Sequence, residues 1–268
     1  MRIASLQPSI TITLKHLGRL DTLCAITKYC LEAIPELATR NLPILHDSWT
    51  ADTDEILATN PTIVLASVPY RMESLAAIFK TGLPVLALAP HSLADIYADT
   101  RLIASLVDAR ADAESIIALM QQRIAATTAT ASVESKPLVY CEEWGKPLIR
   151  SQPWVAELVA AAGGRFLGEP GTHTTPETIA SADPDVLLFA WCGAGDRVPL
   201  SKVIAQRDWS TLKAVRQGNV HCIPDEYLNT PAVTLVEGLA CLASAIHPTL
   251  FPRHPRLVTL KLERGLAD

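Results

Sequence analysis

From residue 92 to about 127 the chain carries no glycine, no proline and no strand-like run, and its apolar residues recur at helical spacing through Leu102, Ile103, Leu106, Ile116, Ile117, Leu119 and Ile124. One or two helices totalling about 35 residues span on the order of 50 Å at 1.5 Å per residue, more than a small lobe needs. The sequence on either side has a different rhythm, in which short aliphatic runs alternate with helical segments. A stiff helical spine between two α/β lobes is therefore predicted, with lobes over 1–91 and 128–250, the spine over 92–127 and a tail over 251–268.

In the first lobe strands are expected over 2–6, 23–27, 43–45, 62–68 and 84–89, and helices over 10–17, 52–58 and 72–80. The run over 62–68 is continuously β-branched and aliphatic, as a strand buried on both faces requires. Acidic residues open the helix at 52–58, where they suit its positive end. A polar stretch over 127–136 reads as a linker, after which the alternation restarts. Strands over 137–141, 186–190 and 220–223 and helices over 154–162, 200–216 and 233–245 make the second lobe. The first of these helices is stopped by Gly163 and Gly164. The fold class is α/β, two lobes joined by a backbone helix, with a ligand cleft expected between them.

Composition excludes several functions. A net charge of −5 with no local run of Lys or Arg leaves no electrostatic footprint for nucleic acid. No apolar stretch reaches the roughly 18 to 20 residues of a membrane span. The opening Met-Arg-Ile-Ala-Ser-Leu-Gln-Pro-Ser lacks the apolar core of an export signal, which predicts a cytoplasmic protein, or a periplasmic one if a signal has been removed. The six cysteines, none spaced Cys-x-x-Cys, read as free thiols of a reducing compartment.

The motifs of common enzymes are missing: there is no phosphate-binding Gly-x-x-x-x-Gly-Lys-Ser/Thr, no Gly-x-Gly-x-x-Gly at a strand end, no Gly-x-Ser-x-Gly and no His-Glu-x-x-His. A non-catalytic binding protein with no required cofactor is the expectation.

The ordered segments are more informative than any one motif. Ile-Ala-Ser-Leu-Gln-Pro-Ser opens the chain, Ile26-Thr27-Lys28-Tyr29-Cys30 and Asp54-Glu55-Ile56 follow, and Asn60-Pro61-Thr62-Ile63-Val64-Leu65 completes the set in the first lobe. In the second come Glu142-Glu143-Trp144, Trp154-Val155-Ala156-Glu157-Leu158-Val159, Asp183-Pro184-Asp185-Val186 and Trp209-Ser210-Thr211-Leu212. In order and spacing, over residues 2–248, they resemble the helical-backbone (class III) substrate-binding proteins of cobalamin, haem and siderophore importers, with the cobalamin-binding branch the nearest likeness.

The resemblance implies a corrinoid, or a related metal macrocycle, as ligand. It implies that Tyr29 and Trp49 of the first lobe line the site, with Trp144, Trp191 and Tyr227 placed similarly in the second. It also implies that Glu73 docks to an ABC permease, with Glu169 or Glu177 as its second-lobe counterpart. Relatives commonly carry an Arg shortly after the Pro that precedes the last helix, where this chain reads Pro231-Ala232-Val233.

The residues themselves agree with such a ligand. Of fourteen aromatics, Tyr29, Trp49, Tyr70, Trp144, Trp154, Trp191 and Tyr227 all fall in expected loops or strand ends. Flat apolar side chains there suit a large planar ligand; the alternative for each is a cap on the edge of a core. Cys192, Cys141 and Cys30 are candidate metal ligands, and His46, His91 and His173 candidate axial or polar contacts, against the alternative of buried, inert thiols. Two rival functions follow: a metal-binding protein or enzyme using Cys192, Cys141, Glu142 and Glu143, or a protein with a vestigial cleft that acts through partners.

Overall fold

The computed structural model of the chain describes residues 1–132 and 136–261; positions 133–135 of the expected linker and 262–268 of the expected tail lie outside the described residues. Two compact units divide it, Met1–Met120 with Pro231–Val233, and Gln121–Thr230 with Thr234–Asp268.

In the first unit the aliphatic runs become β1 (Ile3–Ser5), β2 (Leu23–Thr27), β3 (Ile44–Leu45), β4 (Ile63–Ser67) and β5 (Val85–Leu88). Every pairing is parallel, in the order β3-β2-β1-β4-β5. The chain leaves β1 toward one edge and returns through β4 on the other side, which makes β1 the switch point of the sheet. Ligands of open α/β sheets bind beyond the carboxyl ends of the strands at such a point. Side chains alternate into two buried faces, and Ala4, Leu6, Ala25, Leu45, Val64 and Ala66 pack with Ile56, Leu75 and Ile78 from the covering helices.

Local chemistry starts these helices where the strands end. Pro8 opens helix Pro8–His16 directly after extended Gln7. Thr27, the last residue of β2, accepts the backbone N–H of Cys30 and so caps helix Lys28–Ala33. Asp52 accepts from Asp54 N and Glu55 N at the head of Thr53–Ala58. The strandless segment forms two helices, Leu93–Leu106 and Arg110–Thr130. Asp108, at φ 51°, turns the chain between them, and Arg101 and Glu114 form a two-pronged ion pair across the break.

In the second unit β6 (Leu138–Gly145), β7 (Leu148–Arg150), β8 (Arg165–Phe166), β9 (His173–Thr174), β10 (Val186–Phe189), β11 (Val220–Cys222) and β12 (Val258–Thr259) form one sheet in the order β12-β11-β10-β6-β7-β9, with β8 paired to β6. The inner strands β6, β10 and β11 run parallel, β7 and β12 run antiparallel to them, and β9 pairs antiparallel with β7. Tyr140, Leu187, Phe189, Val203, Trp209 and Val220 are central to its core.

Two expectations for this unit need correction. The strand expected at 137–141 runs on to Gly145 and folds back as a hairpin onto β7. The helix expected over 200–216 is broken into Leu200–Gln206, a 3-10 turn Trp209–Thr211 and Lys213–Arg216. Asp208 at φ 55° makes the break, which drops Trp209 into the core with its indole N–H on Pro176 O.

Thr27→Ala removes the cap that ties β2 to the helix bearing Tyr29, at a cost of about 1 kcal/mol. We expect calorimetry to show a melting transition lowered by a few degrees, and Thr27→Ser to restore most of the loss.

Candidate functional site

The carboxyl ends of the parallel strands collect the polar and aromatic side chains in each unit. In the first, Thr27, Lys28, Tyr29, Ile44, Leu45, His46, Asp47 and Thr50 line a pocket of ≈ 390 Å³ beyond β2 and β3. Tyr29 is half-buried there with the Lys28 ammonium 4.8 Å from its ring centroid. The next loop is built by Asp47, whose Oδ1 accepts from Trp49 N, Thr50 N and Thr50 Oγ1. That turn projects Trp49, which is 50% exposed. His46 shares a hydrogen bond between Nδ1 and Glu55 Oε2 at 2.8 Å, and this contact raises the imidazole pKa. Tyr70 follows β4 and packs half-buried against the core of the unit.

In the second unit Trp144 ends β6, Trp191 and Cys192 follow β10, and Tyr227 follows β11. Trp144 is 44% exposed and donates its indole N–H to Lys146 O across the hairpin turn. Trp191 is half-buried, and its Nε1–H donates to Glu142 Oε1 at 2.8 Å. Both carboxylate oxygens of Asp225 accept from the backbone of the next loop, at Gly193 N and Gly195 N, each at 2.8 Å. Positive φ at both glycines lets the loop curl around that carboxylate. Tyr227 meets the His254 ring edge-on, and the Arg256 guanidinium stands 5.8 Å from its centroid.

Glu143 and Cys192 share one corner of this surface. Gln152 Nε2 donates to Glu143 Oε2 at 2.8 Å, Cys192 Sγ lies 3.9 Å from Oε1, and Asn229 Nδ2 is 3.3 Å from the sulfur. Burial pushes the Glu143 carboxyl up to about 7. Desolvation and the Glu143 and Asp225 carboxylates hold the Cys192 thiol far above its ordinary value, so it is a neutral thiol at pH 7.

Not every residue singled out in the sequence reaches a strand end. Trp154 is 2% exposed and donates its indole N–H to Leu228 O, a core residue rather than a ligand face. Its position at a helix start after Pro153 did not reveal that the ring turns inward. Cys141 and Cys30 are buried in different units, and Cys30 shares a hydrogen bond with Thr27 Oγ1. Among the described residues no group of three or more His, Cys, Asp or Glu is arranged to hold a metal. Glu142, named with the cysteines, is spent on an internal ion pair with Arg207. His91 uses its backbone N–H on Asp95, and His173 lies on β9 at the end of the sheet order. Glu73 is an exposed residue of the first turn of helix Met72–Lys80, 3.9 Å from Arg71. Lys28, Asp47, Thr50, Asp225 and Asn229 were missed; their one sequence signal is a place within a few residues of an expected strand end.

The chain belongs to the periplasmic binding protein family, whose model matches residues 3–227. A cobalamin-binding protein of Halobacterium salinarum is 24% identical over 260 residues, covering 92% of this chain and 70% of its own. The substrate-binding lipoprotein YvrC of Bacillus subtilis, described as an uncharacterized ABC transporter component, is 22% identical over 264 residues, 93% of this chain and 81% of its own. Among solved structures, a periplasmic heme-binding protein of Pseudomonas aeruginosa aligns with a TM-score of 0.85 at 19% identity, covering 98% of this chain and 99% of the other. The vitamin B12-binding protein BtuF of Vibrio cholerae aligns with a TM-score of 0.73 at 19% identity over 91% and 96%. Both solved structures share the two-lobe α/β fold of this chain, and the family it belongs to is one of binding proteins. No helix among the described residues is long and apolar enough to cross a membrane.

Two measurements test the corner around Glu143. Its folded pKa lies above the ordinary 4.5, so the folded state holds the proton more tightly than the unfolded one. The resulting stability is full below pH 4.5 and is lost as pH rises to about 7. Glu143→Gln removes that slope, so melting temperatures should move in favour of the variant across this window. His221, lowered to about 4 by burial, contributes the opposite slope equally to both proteins and cancels. Cys192 is the one cysteine of six classed as exposed. Maleimide should modify it first, slowly at pH 7 and faster as pH rises, and Cys192→Ser should remove that reaction while leaving five thiols that react only on unfolding.

Proposed function

We propose that the chain binds a corrinoid of the cobalamin or cobinamide kind, or a related metal macrocycle, through side chains at the carboxyl ends of its strands. The observation that carries this reading is the recurrence of aromatic side chains there: Tyr29, Trp49 and Tyr70 after β2, β3 and β4, and Trp144, Trp191 and Tyr227 at the ends of β6, β10 and β11. Flat rings offer a macrocycle area and stacking at little cost in side-chain freedom. The name of the Halobacterium salinarum relative supports a cobalamin ligand.

Charge favours a corrinoid over haem. Glu143, Asp225, Glu226 and Asp196 stand at the second-lobe strand ends, and the nearby Arg256 is paired with Asp196 and Glu226 at 3.5 Å each. Such a surface suits the carboxamides of a corrinoid and repels the two propionates of haem. Haem remains the second reading because His46 lines the first-lobe pocket and carries its Nδ1 on a carboxylate, the arrangement that prepares an imidazole for metal.

Transport is the family role, with Glu73 the proposed first-lobe contact to an ABC permease. Six cysteines that form no disulfide support a reducing compartment, and with it intracellular storage or delivery. Cell fractionation decides between them: recovery with the periplasm or membrane surface rules out the cytoplasmic reading.

Absorption titration with cyanocobalamin, dicyanocobinamide and haemin tests the ligand. We expect a saturable shift of the corrinoid bands and a raised melting temperature with a corrinoid. Trp49→Ala and Trp144→Ala should each weaken binding about tenfold, as the loss of one stacked ring worth 0.5–1.5 kcal/mol and its buried area predicts. A Soret shift with haemin and no response to either corrinoid would overturn the corrinoid reading in favour of haem.

A further inference from the structure

Behind Trp191 lies a buried charge network. Glu142 has no exposed side-chain surface and the Arg207 side chain is 9% exposed. The carboxylate accepts four hydrogen bonds: Tyr140 O–H at 2.6 Å and Arg207 Nη1 at 2.8 Å on Oε2, and Arg207 Nη2 at 2.9 Å and Trp191 Nε1 at 2.8 Å on Oε1. Arg207 in turn stands 4.8 Å from the Trp209 ring centroid and 5.8 Å from that of Phe189. A buried ion pair adds little net stability over well-packed apolar residues, so stability alone does not account for it. What it does provide is an acceptor fixed at one point and aimed at one indole N–H.

The ring is also confined by shape. Trp191 meets Phe189 edge to face, with centroids 6.4 Å apart and planes at 86°. Its six-membered ring lies across Gly145 at the end of β6. A Cβ on that glycine would overlap Cζ2 and come within 2.7 Å of Cε2. Gly145 does not adopt a positive φ, so what its missing side chain provides is room for the ring.

We propose that Glu142 and Gly145 are positioning residues for ligand binding, which act by holding the half-buried Trp191 indole in one preset orientation at the strand end. The ligand then meets a ring that has little freedom left to lose. The inference rests on the reading of Trp191 as a ligand contact and names what makes that contact rigid. Arg207 and Tyr140 serve it indirectly, by fixing the carboxylate.

The test is an equilibrium titration of the full chain with dicyanocobinamide, read beside near-ultraviolet circular dichroism and the melting temperature. Gly145→Ala is the decisive variant, because it displaces the ring while leaving the Glu142–Arg207 pair intact. We expect it to change the tryptophan bands, to keep the melting temperature within a few degrees of the wild type, and to weaken binding by up to about tenfold, the cost of ordering one freed side chain. Glu142→Gln should shift the same bands and weaken binding, with a lower melting temperature because Arg207 loses its counter-charge. Trp191→Ala should weaken binding at least as much as Gly145→Ala. If Trp191→Ala weakens binding while Gly145→Ala binds as the wild type, positioning is overturned and the contact stands. If Trp191→Ala binds as the wild type, both the contact and the positioning fail. Unchanged near-ultraviolet bands in Gly145→Ala would overturn the positioning whatever the affinity, and a wild type that binds neither dicyanocobinamide nor cyanocobalamin would overturn the corrinoid reading with it.

Discussion

Parallel strands whose side chains are buried on both faces leave a sheet one place to vary, its ends. In the first unit Ile3, Ala4, Ala25, Ile26, Val64 and Leu65 are fully buried. Their N–H and C=O groups are committed to the ladders, so neither faces nor backbone remain to meet a solute. The carboxyl ends are where chain leaves the sheet, and the helix starts made by Pro8, Thr27 and Asp52 turn it there. Tyr29, His46 and Trp49 stand where they do because strands stop one to four residues earlier. The same rule acts on β10 and β11 of the second unit, where the residues released are Trp191, Cys192 and Tyr227, while Trp144 stays paired in the hairpin that ends β6.

The two sets of strand ends differ in how their side chains are held. In the first unit short local contacts do the work: Asp47 builds the turn that projects Trp49, and Glu55 orients His46. In the second unit the contacts come from afar in sequence. Arg207 reaches Glu142, Asp225 ties down Gly193 and Gly195, and Asn229 bonds Ala190 O. Carboxylates dominate this second surface, and two of them are raised by burial, Glu143 to about 7 and Glu226 in the same direction. This excess of carboxylates is the electrostatic basis of the proposed preference for a corrinoid over an anionic haem.

Where local physics dominates, the sequence was legible. The aliphatic run over 62–68, the acidic helix start at 52–58 and the strandless segment after residue 92 all appear as read, because burial on two faces and helical periodicity leave marks on consecutive residues. Of the aromatics singled out, Tyr29, Trp49, Tyr70 and Trp191 follow β2, β3, β4 and β10, Trp144 lies in the last two residues of β6, and Tyr227 lies in the helical turn Asp225–Leu228 after β11. Trp154 shows the limit: a tryptophan at a helix start looks alike whether its ring turns out or in, and only Leu228 O, far along the chain, decides. The break of the helix expected over 200–216 has the same origin. Asp208 and Trp209 are acceptable helix residues, and the pull of the core on Trp209 prevails.

What the sequence by itself determined is therefore the order of elements, the two α/β units, the family and the places where aromatic side chains leave the sheets. Those follow from patterns a few residues long. Only the tertiary structure decided which rings are presented and what holds them, because the groups responsible are distant in the chain. Glu142 and Arg207 are separated by 65 positions, and Glu142 and Trp191 by 49. A carboxylate's function there depends on which donors surround it, and no local pattern records that.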